Sequence, residues 1–394
     1  MKELDVAKAR AETPGAEKVL HFNNAGAGLM PATVLTTLKD HLDLEASIGG
    51  YEAFRQTLDA TRNTYAAGAR LLNCDASEIA VLENATMAWA MAFYGLAQTF
   101  GSGDRILTAE AEYVSNYIAY LQMAKRTGCV IDVVPSDNTG ALSVTALENM
   151  IDDRVKLISI SHVPTNGGLV NPAAEVGRVA KATNIPYLLD ACQSAGQMPL
   201  DVEEIGCDFL SFTGRKYLRG PRGTGMLYVR KSMLDRFEPP ILDLHSASWV
   251  SADSYELKPD ATRFENWEFY VAGRIGLGVA IDYALDWGLD AVQARIHHLS
   301  ARLRAGLGDI SGVSVTDLGA KPCGIATFTI NGLDAPTVMA ALAEKAINVS
   351  VSGRSSTRLD MERRNLTELV RASVHYYNTD DEVDRFLTEI ENLA

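Results

Sequence analysis

The amino-acid sequence predicts an α/β protein with a large, mostly parallel sheet domain and a smaller α+β domain at the C-terminal end. From about residue 20 to 245, short β-rich runs alternate with helical patterns, and this alternation is typical of a parallel sheet covered by helices on both faces. The length of 394 residues exceeds what one hydrophobic core usually supports. We therefore expect an N-terminal segment over 1–20, a large domain over 21–260 and a small domain over 261–394.

The elements follow from local patterns along the chain. Apolar runs predict strands in the large domain over 105–108, 129–134, 155–163, 186–190, 209–213 and 226–229. Between them, apolar residues at helical spacing predict helices such as 172–183, with a proline in the first turn. The stretch 238–268 is irregular and contains two adjacent prolines, so it is where the domains are expected to join. Beyond it the patterns predict helices over 271–287, 290–307 and 335–345, strands over 324–330 and 370–377, a loop over 350–360 and an amphipathic final helix.

The charge and the cysteines exclude several classes of protein. Lys and Arg number 36 against 50 Asp and Glu, which gives a net charge of −14. Nucleic acids and membrane surfaces are therefore not expected as partners, and an anionic ligand needs a local pocket. The five cysteines form no C-x-x-C pair, so neither a disulfide framework nor a metal site is expected. A cytoplasmic location fits this cysteine usage.

The densest chemical signal lies at the ends of two predicted strands. Asp190 ends one strand, and a Thr-Gly-Arg-Lys run from Thr213 to Lys216 ends the next. A pocket lysine forms a Schiff base with a carbonyl group, and an aspartate can keep a pyridine nitrogen protonated, so the pair predicts pyridoxal 5′-phosphate as cofactor. Thr213 and Arg215 offer a hydroxyl and a guanidinium to its phosphate. Alone, Asp190 reads as a turn cap and Lys216 as a solvated lysine; together, at strand ends, they favour a site.

A second phosphate-binding element is predicted over 83–87. This segment precedes a long apolar helix, whose first amide groups lack intrahelical partners and can bind an anion. The alternative is an ordinary helix cap formed by Asn84 or Thr86.

These residues together resemble the class V aminotransferase superfamily of fold-type I pyridoxal-phosphate enzymes. That superfamily includes cysteine desulfurases, isopenicillin-N epimerase and hercynylcysteine sulfoxide lyase. The resemblance runs from the segment 21–26 to the segment 377–379, and its most specific parts are D-x-x-Q, T-G-R-K and the Gly-Pro-Arg-Gly-Thr-Gly run over 220–225. It implies a seven-stranded sheet in the large domain and a homodimer with active sites at the interface.

The resemblance also assigns roles in cofactor binding. Lys216 matches the lysine that bonds to the cofactor and later moves protons, and Asp190 matches the carboxylate on the pyridine nitrogen. Gln193 matches the side chain on the phenolic oxygen. Tyr113 stands where desulfurases have a histidine that stacks on the ring, although a core aromatic is the alternative. The full implied set is Thr86, Met87, Tyr113, Asp190, Gln193, Thr213, Arg215 and Lys216.

For the substrate, Arg371 matches the arginine that holds the α-carboxylate, a task suited to a guanidinium because it binds carboxylates bidentately. Thr165 and Asn166 follow another strand, and the sequence leaves open which of them contacts the substrate. Arg354 and Arg358 in the predicted loop suggest an anionic substrate group, and the alternative is a solvated loop. The implied substrate set is Asn23, Gly26, Thr165, Asn166, Arg354 and Arg371.

The expected reaction depends on the segment 352–358. Desulfurases carry a mobile cysteine in this loop, whereas this chain has none there. The sequence therefore favours a β-eliminating C–S lyase acting on cysteine conjugates or sulfoxides, and not a persulfide-forming desulfurase. The Gly-Gly-Tyr run over 49–51 resembles the lyase and epimerase members and points the same way. The alternatives are a class V aminotransferase, an amino-acid epimerase or racemase, and a dimeric binding protein on the same scaffold.

Overall fold

The structure is a computed structural model that describes residues 4–394. Within these residues the strands are β1 (Leu20–His21), β2 (Ile79–Leu82), β3 (Arg105–Ala109), β4 (Val130–Val134), β5 (Val155–Ser161), β6 (Tyr187–Asp190), β7 (Phe209–Thr213), β8 (Gly225–Val229), β9 (Ala247–Ser251), β10 (Ser254–Leu257), β11 (Val313–Val315), β12 (Ile325–Ile330), β13 (Ile347–Asn348), β14 (Ser350–Gly353) and β15 (Glu368–Ser373).

The α-helices are α1 (Val6–Ala11), α2 (Ala32–Ile48), α3 (Gly50–Gln56), α4 (Leu58–Leu72), α5 (Ala85–Ala97), α6 (Val114–Thr127), α7 (Val144–Met150), α8 (Ala173–Thr183), α9 (Val202–Ile205), α10 (Val271–Trp287), α11 (Leu289–Asp309), α12 (Ala335–Glu344), α13 (Arg358–Arg363) and α14 (Asp380–Leu393). Short 3₁₀ turns cover Ala76–Glu78, Lys231–Met233, Ala261–Phe264 and Arg354–Ser356.

Seven strands form the central sheet, in the order β2-β8-β7-β6-β5-β3-β4. Strand β8 runs antiparallel to both β2 and β7, and the remaining neighbours are parallel. The α/β fold class predicted from the sequence is confirmed. Strand β2 was not among the predicted strands, because a run of four buried residues with no periodicity is hard to distinguish from a helix segment.

Helices cover both faces of this sheet. Along β6, Leu188 packs into the layer that contains α5 and α6, whereas the adjacent Leu189 packs into the opposite layer with α4, α8 and α10. Successive side chains of a strand point to opposite faces, so strands buried on both sides consist of continuous apolar residues. The carboxyl ends of β3, β5, β6 and β7 therefore meet at one edge, where the chain turns polar.

A second sheet, in the order β11-β12-β15-β14, is fully antiparallel and packs with α11, α12 and α14 in its own core. The start of the chain joins this part of the molecule, since β1 pairs in parallel with β13 and the Phe22 N–H donates to the Asn348 carbonyl at 2.9 Å. The predicted segment 1–20 begins outside the described residues, and the domain boundaries at 20 and 260 stay predictions.

Two stretches are more regular than the sequence suggested. The predicted loop over 350–360 contains β14, a 3₁₀ turn and the start of α13, and the irregular stretch 238–268 contains the β9–β10 hairpin. Both were missed because they lack an apolar pattern: β14 is an edge strand held by pairing with β15, and the hairpin is largely exposed. No helix within residues 4–394 is both long and apolar enough to cross a bilayer.

Candidate active site

A cavity opens at the carboxyl edge of the central sheet. Its walls come from the starts of α5 and α6 and from the segments that follow β5, β6 and β7. The lining residues are Asn84, Ala85, Thr86, Tyr113, Asn116, Ser161, Val163, Thr165, Asp190, Cys192, Gln193, Thr213, Arg215 and Lys216.

Lys216 is the central basic group of this cavity. It follows β7, its exposure is only 9 %, and within residues 4–394 its ammonium group forms no salt bridge. Burial lowers the pKa of Lys216 and the nearby Arg215 and Arg371 lower it further, although Cys192 and Asp190 act in the opposite direction. A buried amine whose charged form is disfavoured is a nucleophile and a base.

Asp190 lies at the end of β6, and both of its carboxylate oxygens are fixed. Asn116 Nδ2 donates to Oδ2 at 3.0 Å, and the Cys192 backbone N–H donates to Oδ1 at 2.9 Å. The exposure of Asp190 is 7 %. A carboxylate fixed in this way can face a protonated ring nitrogen without rotating away from it.

Two further side chains complete the wall around the predicted cofactor ring. Gln193 Nε2 donates to the Ala25 carbonyl at 3.1 Å, while its Oε1 is buried without a hydrogen-bond partner among the described residues. Tyr113 is half-buried and precedes the first turn of α6. Cys192 also lines the wall, and burial raises the pKa of its thiol, so the sulfur is protonated at neutral pH and acts as a packing group.

The start of α5 forms the anion-binding end of the cavity. Asn84 caps this helix by accepting the Met87 N–H at 2.9 Å, so the Met87 amide is already used, and Met87 does not line the cavity. Thr86, by contrast, lines it together with Thr213 and Arg215. Gly225 allows the close approach of β8, because a Cβ there would lie 2.3 Å from the Asn84 carbonyl carbon.

Arg371 lies behind Thr165 on the other side of the cavity. Its Nη1 donates to Thr165 Oγ1 at 2.5 Å, and its Nε is buried without a partner among the described residues. Burial lowers the pKa of Arg371 to about 10, which still leaves the guanidinium charged at neutral pH. A buried cation with an unused donor, next to the cavity wall, is suited to bind a carboxylate.

The other predicted substrate residues are distributed differently. Asn23 has a buried Oδ1 without a partner in the described chain, and this oxygen lies against Gly26. The Gly26 carbonyl accepts a hydrogen bond from Arg215 Nη1, and Arg215 lines the cavity, so both residues lie close to it. Asn166 turns away and donates to Thr357 Oγ1 at 3.0 Å. Arg354 donates from Nε to the Leu366 carbonyl at 3.2 Å, and neither Asn166 nor Arg354 lines the cavity. Of the two adjacent candidates, it is Thr165 that lines the wall.

Sequence reasoning missed three polar groups in or behind this wall, namely Glu112, Asn116 and Ser161. Glu112 precedes α6 and Asn116 lies in its first turn, and Asn116 Nδ2 donates to Glu112 Oε1 at 3.0 Å. The signal that could have identified Glu112 is a pair of glutamates close to the end of an apolar strand, since Glu110 follows β3 directly and Glu112 comes two residues later.

Comparison with known proteins identifies the family. The model for "Aminotransferase class-V" matches residues 20–386. The chain belongs to the class V aminotransferase family. The recognition made from the sequence is thereby confirmed, and so is the predicted cofactor, pyridoxal phosphate. The cavity fits this group, since it combines an amine without an ion-pair partner, a fixed carboxylate and a helix start flanked by hydroxyl groups and a guanidinium.

Within this family the chain is similar to cysteine desulfurases. A probable cysteine desulfurase of Pyrococcus abyssi is 29 % identical over 98 % of this chain and 96 % of its own length. One from Methanothermobacter thermautotrophicus is 30 % identical over 98 % and 97 %. The apo structure of a cysteine desulfurase from Thermococcus onnurineus NA1 superposes with a TM-score of 0.93 at 28 % identity, covering 100 % of this chain and 98 % of that one.

These similarities overturn the expected reaction. The expectation of a lyase for cysteine conjugates or sulfoxides that is not a desulfurase is wrong, because relatives matched over the whole chain are named cysteine desulfurases. That expectation rested on the missing cysteine in 352–358 and on the Gly-Gly-Tyr run over 49–51, and neither segment lines the cavity. A pyridoxal-phosphate-dependent enzyme is supported, and the similarity points to a desulfurase rather than a general lyase or an aminotransferase.

Proposed function

We propose that the protein is a cysteine desulfurase, which breaks the Cβ–S bond of L-cysteine and passes the sulfur to a thiol. The observation that carries the proposal is the Lys216 amine, buried without an ion-pair partner among residues 4–394 beside the fixed carboxylate of Asp190, in a chain similar to desulfurases over its whole length.

The residues that would hold the cofactor divide into two groups. Lys216 would bond to its aldehyde carbon, and Asp190 would face the ring nitrogen, Gln193 the phenolic oxygen and Tyr113 the ring. Thr86, Thr213, Arg215 and the first amides of α5 would hold the phosphate group. Bound pyridoxal phosphate supplies an electron sink that stabilises negative charge at the substrate Cα.

The substrate is oriented by groups on the opposite wall. Arg371 pairs with the carboxylate of cysteine, and Thr165, which accepts a hydrogen bond from Arg371 at 2.5 Å, keeps the guanidinium at the cavity wall. Asn23 and Gly26 would lie beside the substrate, on the side of the cavity formed by the N-terminal part of the chain. With the carboxylate fixed, Lys216 removes the proton from Cα and later returns one. Asn166 and Arg354 take no part in this scheme, because their side chains are directed elsewhere, to Thr357 Oγ1 and to the Leu366 carbonyl.

The overall reaction balances with one further thiol. Cysteine and the acceptor thiol yield alanine and a persulfide, so one C–S bond breaks and one S–S bond forms. Residues 350–363 contain no cysteine, and we propose that the accepting thiol comes from outside this segment. Dithiothreitol supplies it in the assay and releases the sulfur as sulfide.

Product analysis tests the proposal. Protein loaded with pyridoxal phosphate is incubated with L-cysteine and dithiothreitol, and we expect alanine and sulfide in equal amounts. Lys216→Ala removes this activity, whereas the matched control Lys181→Ala, at an exposed lysine on α8, leaves it intact. Pyruvate and ammonia in place of alanine would show elimination, and no turnover of cysteine would reject the proposal outright.

We further propose that two copies associate through one apolar surface. Tyr51, Trp267 and Tyr270 are 65 %, 48 % and 44 % exposed and line a common groove with Phe54 and Phe269. Exposed aromatic clusters of this kind are typical of protein interfaces, and a second copy would cover this one. Light scattering should give twice the chain mass, reduced by Tyr51→Arg but not by Ile118→Arg, a control at a similarly exposed apolar residue on α6. A wild-type monomer would refute the pairing.

We also propose a cytoplasmic location. All five cysteines are free, as is usual in a reducing compartment. Fractionation of cells that express the protein tests this location.

A further inference from the structure

The buried carboxylate of Glu112 lies directly behind the cofactor wall. It follows β3, its exposure is 3 %, and within the described residues it has no cationic partner within 4 Å. A buried carboxylate without a cation is costly, so its presence needs an explanation in terms of what it binds.

Five hydrogen bonds converge on this carboxylate. Its Oε1 accepts from the Tyr113 N–H at 2.7 Å, from Asn116 Nδ2 at 3.0 Å and from Ser161 Oγ at 2.6 Å. Its Oε2 accepts from Thr108 Oγ1 at 3.0 Å and from the Ser161 N–H at 3.1 Å. One side chain thus ties together the end of β3, the start of α6 and the end of β5.

Asn116 extends this network to the cofactor wall. The same Nδ2 that donates to Glu112 also donates to Asp190 Oδ2 at 3.0 Å. A primary amide has two N–H bonds, and here each reaches a different buried carboxylate. The position of Asn116, and with it one oxygen of Asp190, therefore depends on Glu112.

We propose that Glu112 is a positioning residue for the cofactor ring, which acts through Asn116 to fix the carboxylate of Asp190 and through the Tyr113 amide to fix the start of α6. The proposal rests on the binding of pyridoxal phosphate at this cavity. It assigns no contact between Glu112 and the cofactor itself, because Glu112 is separated from the cavity by Asn116.

The electrostatics agree with this role. Burial raises the pKa of Glu112 to about 7, and the neighbouring Asp190 acts in the same direction, while the hydrogen bonds from Ser161, Asn116 and Tyr113 oppose the rise. The titratable groups that face Glu112 are Asp190 and Tyr120, and burial raises the pKa of the Tyr120 hydroxyl as well. Asn116 Nδ2 donates to both carboxyl groups and so links Glu112 to Asp190.

A double-mutant cycle on cofactor affinity tests the proposal. The Kd for pyridoxal phosphate is measured by visible absorbance for wild type, Glu112→Gln, Asn116→Ala and the double variant. Glutamine has one acceptor oxygen where glutamate has two, so we expect E112Q to weaken cofactor binding about tenfold. Loss of an outer hydrogen-bond partner in metal sites costs roughly 10- to 100-fold in affinity, and tenfold is the lower end of that range. If Glu112 acts through Asn116, the double variant binds within about twofold of Asn116→Ala.

The visible circular dichroism of the loaded protein gives a second readout, because it reports the asymmetry around the bound ring, which a change confined to stability does not alter. We expect E112Q and Asn116→Ala to reduce this band similarly. Thr108→Val is the control: it removes one bond to the far oxygen of Glu112 and leaves the Asn116 bridge, so Kd should stay within about twofold of wild type.

Strict additivity in the cycle, or an E112Q protein with wild-type Kd and dichroism, would overturn the role of Glu112. If E112Q does not fold, Ser161→Ala replaces it in the cycle, since it removes the 2.6 Å hydrogen bond to Oε1 of Glu112. Strict additivity, or a wild-type Kd and dichroism, would then overturn the role of Glu112 in the same way. A wild-type protein that takes up no pyridoxal phosphate would instead contradict the cofactor assignment, which separates the two failures.

Discussion

Replacing Arg371 by methionine tests whether the buried guanidinium holds the substrate carboxylate. Methionine keeps a long, flexible side chain but carries neither charge nor donor. In the structure Arg371 has no carboxylate within 4 Å among residues 4–394, and its contact with Thr165 is at the cavity wall. The substrate is therefore expected to supply the missing anion.

The size of the effect follows from the bonds that are lost. A hydrogen bond that involves a charged group contributes about 1.5–3 kcal/mol, and a guanidinium holds a carboxylate through two of them. Losing about 3–5 kcal/mol corresponds to a fall in kcat/KM of roughly two to almost four orders of magnitude, since each 1.36 kcal/mol is tenfold. Most of the fall should appear in KM, because the carboxylate is bound in the ground state and the transition state alike.

The assay compares two ligands that differ only in the carboxylate. Alanine formation from L-cysteine gives the kinetic constants, and the visible spectral change on adding 2-aminoethanethiol gives the affinity for a ligand without a carboxylate. Arg371→Met should raise KM for cysteine strongly but keep the 2-aminoethanethiol affinity within about twofold. Arg358→Met, at an exposed arginine paired with Glu362 at 2.7 Å, should change neither. Equal losses for both ligands, with the cofactor still bound, would refute the assignment.

The same variant has a consequence for stability. Burial lowers the pKa of Arg371 from 12.5 to about 10, so at every pH below 10 the folded state disfavours the charged form, at a cost of about 3 kcal/mol. Removing the charge also removes the hydrogen bond to Thr165, and this loss offsets about 1 kcal/mol of the gain in stability. Cofactor-free Arg371→Met should therefore be more stable by about 1–2 kcal/mol in urea unfolding at pH 7. A less stable variant would mean that the guanidinium is better satisfied than its contacts indicate.

Two further predictions concern the cofactor wall. Burial raises the pKa of Glu112 from 4.5 to about 7. Its contribution to the free energy of unfolding is therefore complete below pH 4.5, and about 3 kcal/mol of it is lost as the pH rises to 7. In urea unfolding of the cofactor-free protein, Glu112→Gln should flatten this pH dependence, and the exposed control Glu148→Gln should not. Gly225→Ala should weaken pyridoxal phosphate binding at least tenfold, because its Cβ would lie 2.3 Å from the Asn84 carbonyl carbon, whereas Gly308→Ala, with no atom within 4 Å of the added Cβ, should leave Kd unchanged.

The sequence predicted those parts of the site that depend on strand ends. Asp190 is the last residue of β6 and Lys216 lies three residues after the end of β7, and adjacent parallel strands bring their carboxyl ends together whatever the rest of the chain does. The same logic placed Thr213 at the cavity. The fold class, once recognised, fixes the relative positions of these residues, and the structure places all three in the lining of one cavity; their roles there stay predictions.

Other parts depended on contacts that no local pattern records. Asn166 is adjacent to Thr165 in sequence, yet it points to Thr357, which comes from a segment nearly 200 residues later. Arg354 was predicted to meet an anionic substrate group because it is an arginine in the loop before Arg371, but β14 and the turn after it direct its side chain to the Leu366 carbonyl. In both cases tertiary packing decided an orientation that spacing alone left free.

The cavity is cationic although the net charge of the chain is −14. Lys216, Arg215 and Arg371 lie close enough that Arg215 and Arg371 lower the pKa of Lys216, and Arg215 lowers that of Arg371. Such mutual repulsion destabilises the cofactor-free fold and is relieved when anions enter. A phosphate group and a carboxylate therefore gain affinity from the interaction among the three cations as well as from direct contacts. The acidic surface elsewhere does not counteract this, because charges more than about 10 Å away are screened at ordinary salt.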